Sequence, residues 1–390
     1  MNNNDPVLKA DIGEKGMRDP FIYRKQDGDF VVLATDMWNS EYIQCYDSKD
    51  LVTFTNSRLL HLNNNGMHAW APEVIYDNKS KYYLILWSGN TDRNRIYVSY
   101  TKDFIEVSEA EIFFDPGFDV IDANIKKEGD TYYLYFKDER DPDESPYEGK
   151  RIKAAYSNEL KPRAFDNQLM DVLIGEPMFE APMLLNNMED GWLLYGDSYY
   201  PENGKFYGWK SKSLTSGEWI PLKREDYNPP LNAKHPAYVE VSEKELELLV
   251  KKWGKRPEWN RIRSYSSPEA YLTTVNNGFI TIEVYPFDPY QEMLWKIVKD
   301  KPNGDNIYLE SITYPGNFVS IEKFVCKLNS DKNKASSFTL TRGFTNNDRW
   351  HAIESIEFRG KFMQIDGKHI RIKTIETEED EKRATFQIGY

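Results

Sequence analysis

The sequence predicts an all-β protein, a five-bladed β-propeller followed by a β-trefoil. Three observations predict it. A three-part strand pattern recurs about every 50 residues through the first 250 or so. A shorter repeat of about 45 residues fills the remainder. Aromatic residues, which favour strands, make up 14% of the chain.

Each long repeat opens on a short apolar run. The runs begin at Asp19-Pro20-Phe21, Ala71-Pro72-Glu73, Asp122-Ala123-Asn124, Glu180-Ala181-Pro182 and His235-Pro236-Ala237. The starts are 52, 51, 58 and 55 residues apart. Four of them lead through a turn into a second strand: Asp27-Gly28 before Val31, Asn78-Lys79 before Tyr82, Gly129-Asp130 before Tyr132, and Asp190-Gly191 before Trp192. Asp, Asn and Gly tolerate the positive φ of such hairpin turns. A third strand closes each unit, at Ile43–Tyr46, Ile96–Tyr100, Ile152–Tyr156 and Tyr207–Trp209. Small antiparallel sheets repeated in this way make a propeller, and five inner-strand starts imply five blades. The fifth is the weakest, because Val241 to Trp253 reads as helix. A β-sandwich would not predict three markers in fixed order.

From Arg261 the period changes. Ser264, Ser311 and Ser355 occupy matching places, 47 and 44 residues apart, and the units end in aromatic strands at Trp295, Phe338 and Phe386. Three such units fit a trefoil. The expected domains are residues 1–255 and 260–390, joined by a linker over Lys251 to Trp259 that holds Gly254 and Pro257. The acidic run Glu376 to Arg383 reads as a solvated loop between strands.

Composition narrows the function. The net charge is −13, and no basic stripe exists to meet a nucleic acid. No apolar run is long enough to span a membrane. Two cysteines, Cys45 and Cys326, lie far apart and read as small buried hydrophobes. With only five histidines, a multi-His metal centre is not expected. Met1 to Ile12 contains no apolar signal core, so the default expectation is a cytoplasmic protein, or a secreted or periplasmic one if the N-terminus is trimmed. The expected state is a monomer.

In a propeller the first strand of each blade lines the central channel. Asp19, Asp122, Glu180 and His235 therefore converge on one mouth, together with Ala71. Glycoside cleavage needs such a set. One carboxylic acid protonates the leaving oxygen while a carboxylate acts as base or nucleophile, and a third carboxylate can raise the acid's pKa by repulsion. Each acid alone reads equally as a turn residue, but three at one phase of a repeat point to a common pocket. Trp70 is the expected sugar platform and Arg18 a partner for a channel acid. His68, Trp38 and Tyr199 are expected at the rim.

Arg18-Asp19-Pro20 with Asp27-Gly28, Trp70-Ala71-Pro72-Glu73, Ile121-Asp122-Ala123 with Tyr132-Tyr133-Leu134, Glu180-Ala181-Pro182 and Lys234-His235-Pro236 together resemble glycoside hydrolase family 43, over roughly residues 6 to 250. The resemblance implies an inverting enzyme with Asp19 as general base, Asp122 as the residue that orients and tunes the acid, and Glu180 as general acid. It implies pentosides as substrates, α-L-arabinofuranosides or β-D-xylosides of plant cell-wall oligo- or polysaccharide. It also places His235 near a central water or ion, with a structural Ca²⁺ in the channel as one option and no cofactor required. Ala181 and Pro236 stand where the family usually has Gly. Related sequences also carry an extra strand-bearing segment before the point matching Asn2 to Leu8. The last third resembles the arabinofuranose-binding module of arabinofuranosidases through Tyr314-Pro315-Gly316 and Ala384-Thr385-Phe386. That module binds through a His which the matching stretches, at Leu272–Thr274, Val319–Ile321 and Met363–Ile365, lack; weak sugar binding and a structural role are therefore expected. Two other readings stay open: a non-catalytic sugar-binding propeller, and another five-bladed class acting on a different sugar such as a galactoside.

Overall fold

A computed structural model describes residues 2–64, 66–141, 149–175, 178–187, 191–200, 205–227, 229–231, 233–275, 278–284 and 290–389. Four four-stranded antiparallel sheets follow one another along the chain in a propeller-like arrangement. The first contains β1 (Met17–Arg24), β2 (Phe30–Asp36), β3 (Tyr42–Ser48) and β4 (Phe54–His61). The second contains β5 (Ala69–Asp77), β6 (Tyr82–Asn90), β7 (Asn94–Thr101) and β8 (Glu111–Phe114). β9 (Val120–Glu128), β10 (Thr131–Asp138), β11 (Ile152–Ser157) and β12 (Leu169–Ile174) form the third. The fourth has β13 (Phe179–Asn187), β14 (Gly191–Ser198), β15 (Phe206–Ser211) and β16 (Ile220–Pro221). The inner strands β1, β5, β9 and β13 touch in sequence order, and the apolar residues of facing sheets fill the space between them. Asp190, expected in the fourth hairpin turn, lies outside the described residues. Cys45 and Cys326 are both unpaired and buried, in the two separate cores the sequence suggested.

Every inner strand carries the same defect. The ladder register shifts at Arg18/Phe21 in β1, at Trp70/Glu73 in β5, opposite Tyr135/Lys137 in β9, and at Glu180/Met183 in β13. At each shift one residue adopts a positive φ: Asp19 (47°), Ala71 (48°), Asp122 (56°) and Ala181 (55°). None is glycine, so each conformation is strained. In three of the four a proline follows, and a bulge is where a strand tolerates a residue with no N–H.

No fifth sheet forms among the described residues. His235 repeats the bulge conformation, with φ 41° and Pro236 after it, but the residues beyond it pair with no strand. Too little chain lies between β16 and the following helix for four strands, and Pro229, Pro230 and Pro236 cannot donate to a ladder. That stretch instead acts as a strap between the fourth sheet and the first. The Tyr238 ring meets Tyr195 of β14, and Ala237 packs on the core shared by the first two sheets. Helix α1 (Glu243–Trp253) follows, with Ser242 and Glu245 forming a capping box. Glu245 also takes both Nη atoms of Arg24, at 2.9 and 2.8 Å, and pins α1 to the end of β1. The expected linker is shorter than predicted, because Lys251 to Trp253 are helical and Trp259 opens a strand.

The C-terminal part contains β17 (Trp259–Ser264), β18 (Ala270–Thr274), β19 (Ile280–Val284), β20 (Leu294–Lys299), β21 (Asn306–Ser311), β22 (Phe318–Glu322), β23 (Val325–Asn329), β24 (Phe338–Arg342), β25 (Trp350–Ser355), β26 (Phe362–Asp366), β27 (His369–Lys373) and β28 (Thr385–Gly389). β17, β20, β21, β24, β25 and β28 pair in a closed ring. Three hairpins, β18–β19, β22–β23 and β26–β27, stand against it. Trp295, Phe338 and Phe386 are fully buried in its core, as their equivalent positions suggested. Glu376 to Arg383 departs from expectation. Thr377 and Asp380 form a capping box that starts a short exposed helix, α2 (Glu378–Arg383), where a loop was predicted.

The threefold repeat breaks at one place, and the break explains how the two parts join. Glu310 and Glu354 each precede the repeat's serine and accept a turn glycine N–H, at 2.8 and 2.9 Å. The matching residue of the first unit is Arg263. Its buried guanidinium donates to the carbonyls of Arg224 and Tyr227, each at 2.9 Å, and to Gln387. Arg261 donates to the Pro229 carbonyl at 2.9 Å, and Leu231 packs with Tyr271 and Leu294. Replacing Arg263 by Ala should cost about 1–3 kcal/mol in urea unfolding, the penalty of buried acceptors left unpaired, and should speed proteolysis within residues 254–258. Replacing Glu310, at the same place in an exposed turn, should cost less. An unchanged midpoint for the Arg263 variant would show that the Leu231 contact alone joins the parts.

Candidate active site

The bulges supply the site. Each bulged residue turns its backbone N–H out of its own ladder, and a side chain receives it. Thr35 Oγ1 accepts from Ala71 at 2.8 Å, Ser88 Oγ from Asp122 at 2.9 Å, and Asp197 Oδ1 from His235 at 2.8 Å. These acceptors sit at one place in β2, β6 and β14, facing the residue before the bulge of their own sheet. The matching residue of β10 is Lys137, which cannot accept. There the Ala181 N–H goes to Asp122 Oδ2 at 3.0 Å instead.

This geometry corrects one element of the sequence reading. Asp19, Asp122 and His235 share a phase with Ala71 and Ala181. Glu180 lies one residue earlier, in the phase of Arg18, Trp70 and Lys234. The structure still brings the acids together, since Asp122 feels the charges of His235, Glu180, Lys137 and Asp19.

Asp19 accepts from Thr35 Oγ1 at 2.7 Å, and its other oxygen lies 3.4 Å from His235 Nδ1. Burial pushes its pKa up, but His235, Arg18 and the Thr35 bond hold it down at about 2. Burial likewise disfavours a charged His235, yet Asp19, Asp122 and Asp197 hold its imidazole up at about 10. The two form an ion pair. Asp122 is pushed up to about 6, first by burial and then by the negative charges of Glu180 and Asp19, against the pull of His235 and Lys137. Burial and the charge of Glu180 push Asp197 up to about 7.

Glu180 behaves differently from expectation. Lys137 Nζ is 3.0 Å from its Oε2, and Lys234 Nζ is 3.2 Å from its Oε1. Burial raises its pKa, but the two lysines outweigh burial and hold it below the ordinary glutamate range. The expected upward push from a neighbouring carboxylate falls on Asp122 instead.

The rim also differs. His68, expected there, is buried. Burial pushes its pKa down to about 4, and Asn94 Oδ1 lies 3.2 Å from its Nε2. Its neutral ring stacks on Trp70, with centroids 3.4 Å apart. Trp70 is thus backed by His68, and its Nε1–H donates to the Trp38 carbonyl. The open aromatic is Trp38, 54% exposed, with the Arg18 guanidinium 3.4 Å above its ring. Arg18 therefore lies on Trp38 and acts on Asp19 through its charge. Tyr199 takes Lys137 Nζ against its ring at 4.0 Å. The option of a central cation does not fit these residues. His235, paired and protonated, offers no lone pair, and among the described residues no group of three or more His, Cys, Asp or Glu could hold a metal ion.

Sequence reasoning missed Thr35, Lys137, Asp197 and Lys234. The first three share a position at the end of the second strand, where the repeat was read only for its apolar residues. Aligning the units on that position would have exposed the odd lysine.

Residues 1–247 match a family described as "Probable glycosyl hydrolase domain", related to glycoside hydrolase family 43. Residues 260–388 match the alpha-L-arabinofuranosidase B domain. A curated "Alpha-L-arabinofuranosidase" of Bifidobacterium longum subsp. longum is 23% identical over 364 residues, covering 80% of this chain and 32% of the relative. The chain thus spans about a third of that relative's length. Among solved structures, a family 43 protein retrieved from a capybara gut metagenome has a TM-score of 0.47 at 14% identity, covering 96% of this chain and 68% of that one. A Bacteroides ovatus family 43 protein from a xyloglucan locus has a TM-score of 0.45 at 13% identity, covering 98% and 84%. An exo-β-1,3-galactanase of Clostridium thermocellum has a TM-score of 0.39 at 12% identity, covering 96% and 83%. With the family match spanning more than half of the chain, the protein belongs to the glycosyl hydrolases related to family 43, and it carries an arabinofuranosidase B domain behind the hydrolase domain.

Proposed function

We propose that the protein is an inverting glycoside hydrolase that removes pentosyl units, α-L-arabinofuranosyl before β-D-xylosyl, from plant cell-wall oligo- or polysaccharide. The observation that carries this reading is the convergence of Asp19, Asp122 and Glu180, three buried acids with separate partners. Asp19 is the base: anionic and oriented by Thr35 and His235, it takes a proton from the attacking water. Glu180 is the acid that protonates the leaving oxygen. Asp122 positions it by accepting the N–H of Ala181, the residue after it. The arabinofuranosidase relative and the arabinofuranosidase B domain favour the arabinofuranoside. In this reading the bulge at His235 stands for a fifth blade reduced to a strap, over residues 1–255. The closed ring with its three hairpins is a β-trefoil over residues 260–390, with a mainly structural role.

Replacing Glu180 by Gln keeps its shape and removes its proton. A loss of about 10²-fold or more in kcat is expected on substrates with poor leaving groups, and a smaller loss on nitrophenyl glycosides. A screen of nitrophenyl α-L-arabinofuranoside, β-D-xyloside and β-D-galactoside supplies the substrate. Equal losses on both leaving-group types would remove Glu180 from the acid role.

The pH dependence follows from the two carboxyls. Asp19 must be ionised, and it stays so above about 2. Glu180 must be protonated, and its lysines lower the pH at which that holds. kcat/KM should therefore be highest on the acidic side and fall steadily toward neutrality. An optimum at or above pH 7 would contradict this.

Trp38 is the aromatic surface open at the rim. Trp38→Ala should raise KM several-fold to about tenfold with little change in kcat, the pattern of lost uniform binding. A fall in kcat at constant KM would place Trp38 outside the sugar site.

A further inference from the structure

We propose that Lys137 is a positioning residue that holds the Glu180 carboxyl in place and governs when it gives up its proton. The inference rests on the reading of Glu180 as the acid.

The geometry comes from the latch rule. In the first, second and fourth sheets the residue at this position is Thr35, Ser88 or Asp197, and each binds the N–H of the next bulge. The third sheet has a lysine there, and Asp122 has taken over the latch. Lys137 is left buried at the centre of the molecule, 3% exposed. A buried ammonium needs negative partners. Its Nζ has two, Glu139 Oε1 at 2.6 Å and Glu180 Oε2 at 3.0 Å, and it lies on the Tyr199 ring. Lys150 Nζ stands 3.4 Å from the other Glu139 oxygen.

The two lysines on Glu180 differ. Lys137 holds Oε2 from the buried side. Lys234 holds Oε1 and also lies 3.4 Å from Asp197, but its side chain is 31% exposed. Oε1 is therefore the oxygen open to an arriving glycoside, and Oε2 the one fixed by the fold. The charged groups facing Glu180 are Lys137 and Glu139 from β10 and its following turn, Asp122 from β9, Asp197 from β14, and Lys234 with His235 from the strap. Of the two cations that touch it, only Lys137 is fully enclosed. Removing that charge should weaken the acid, and removing Glu139 should strengthen it.

The test is a pair of substitutions with opposite expected signs. Glu180 is titrated through its ¹³Cδ resonance in glutamate-labelled protein, assigned by its loss in Glu180→Gln. In Lys137→Met the midpoint should rise by about one unit or more, the usual effect of losing an adjacent opposite charge. In Glu139→Gln, which leaves the lysine to Glu180 alone, it should fall. Lys137→Arg should restore the wild-type midpoint. The alkaline limb of kcat/KM on the nitrophenyl glycoside turned over should move with each midpoint. Packing damage would not move the two variants in opposite directions. A Glu180 midpoint equal in wild type and Lys137→Met overturns the proposal. If Glu180→Gln still loses activity selectively on poor leaving groups in that case, the acid assignment stands and only the role of Lys137 falls. Midpoints that move while the limb stays fixed overturn the acid assignment itself, and the catalytic role of Lys137 with it.

Discussion

The site depends on one recurring constraint, a strained inner-strand residue whose backbone N–H must be received by a side chain. A non-glycine residue at positive φ costs about 1–3 kcal/mol and persists only when its surroundings hold it. Here the holder is a hydroxyl or carboxyl from the preceding sheet. The bond does two things together. It ties neighbouring sheets near the axis, where no ladder crosses between them, and it aims the bulged residue. Thr35 shows the economy of the arrangement: its oxygen accepts from Ala71 while its hydrogen goes to Asp19. Asp122 is both latched, through Ser88, and a latch, through Ala181. The acid-bearing strand thus takes its position from another acid, so the two carboxyls cannot move independently.

Burying this many charges in a small volume is unfavourable unless each finds a partner. Asp19 has His235, and Glu180 has Lys137 and Lys234. Asp122 has no cation of its own at contact distance among the ion pairs of the described residues, and burial together with two like charges raises it to about 6. A fold built for stability alone would fill this centre with apolar side chains, as it does one layer out. The concentration of opposed, shifted groups at the inner bulges is the physical mark of a reacting site.

Much of this was legible in the sequence, and the misses have identifiable causes. The spacing of apolar runs located all four sheets, because a half-buried strand must repeat its pattern. The phase of Glu180 was misread because the runs were aligned on their acids; the prolines after Asp19 and Ala181 mark the bulge, and they put Glu180 one place earlier. The fifth sheet was inferred from a true repeat of the bulge at His235. What closes the ring there is the Arg24–Glu245 pair, between residues more than 200 positions apart, which no local pattern reveals. His68 was assigned to the rim by proximity to Trp70, but alternate residues of an extended strand share a face, and the two rings stack. Helix α2 was hidden by its charge density, although Thr377 and Asp380 spell its start.

The C-terminal part bears on the site through the strap. Lys234 and His235 lie on a segment with no sheet of its own, so neighbouring structure must fix it. On one side α1 is tied to β1 by Arg24. On the other, the chain from Arg224 to Leu231 is held by the buried Arg261, Arg263 and the Tyr271 cluster of the C-terminal part. The first unit of the threefold repeat gave up the glutamate of its sisters for the arginine that makes this contact. A binding module tethered by a flexible linker would have no use for that exchange. A module that clamps the loop feeding two catalytic-centre residues would, and the loss of threefold symmetry falls on the one unit where the clamp is needed.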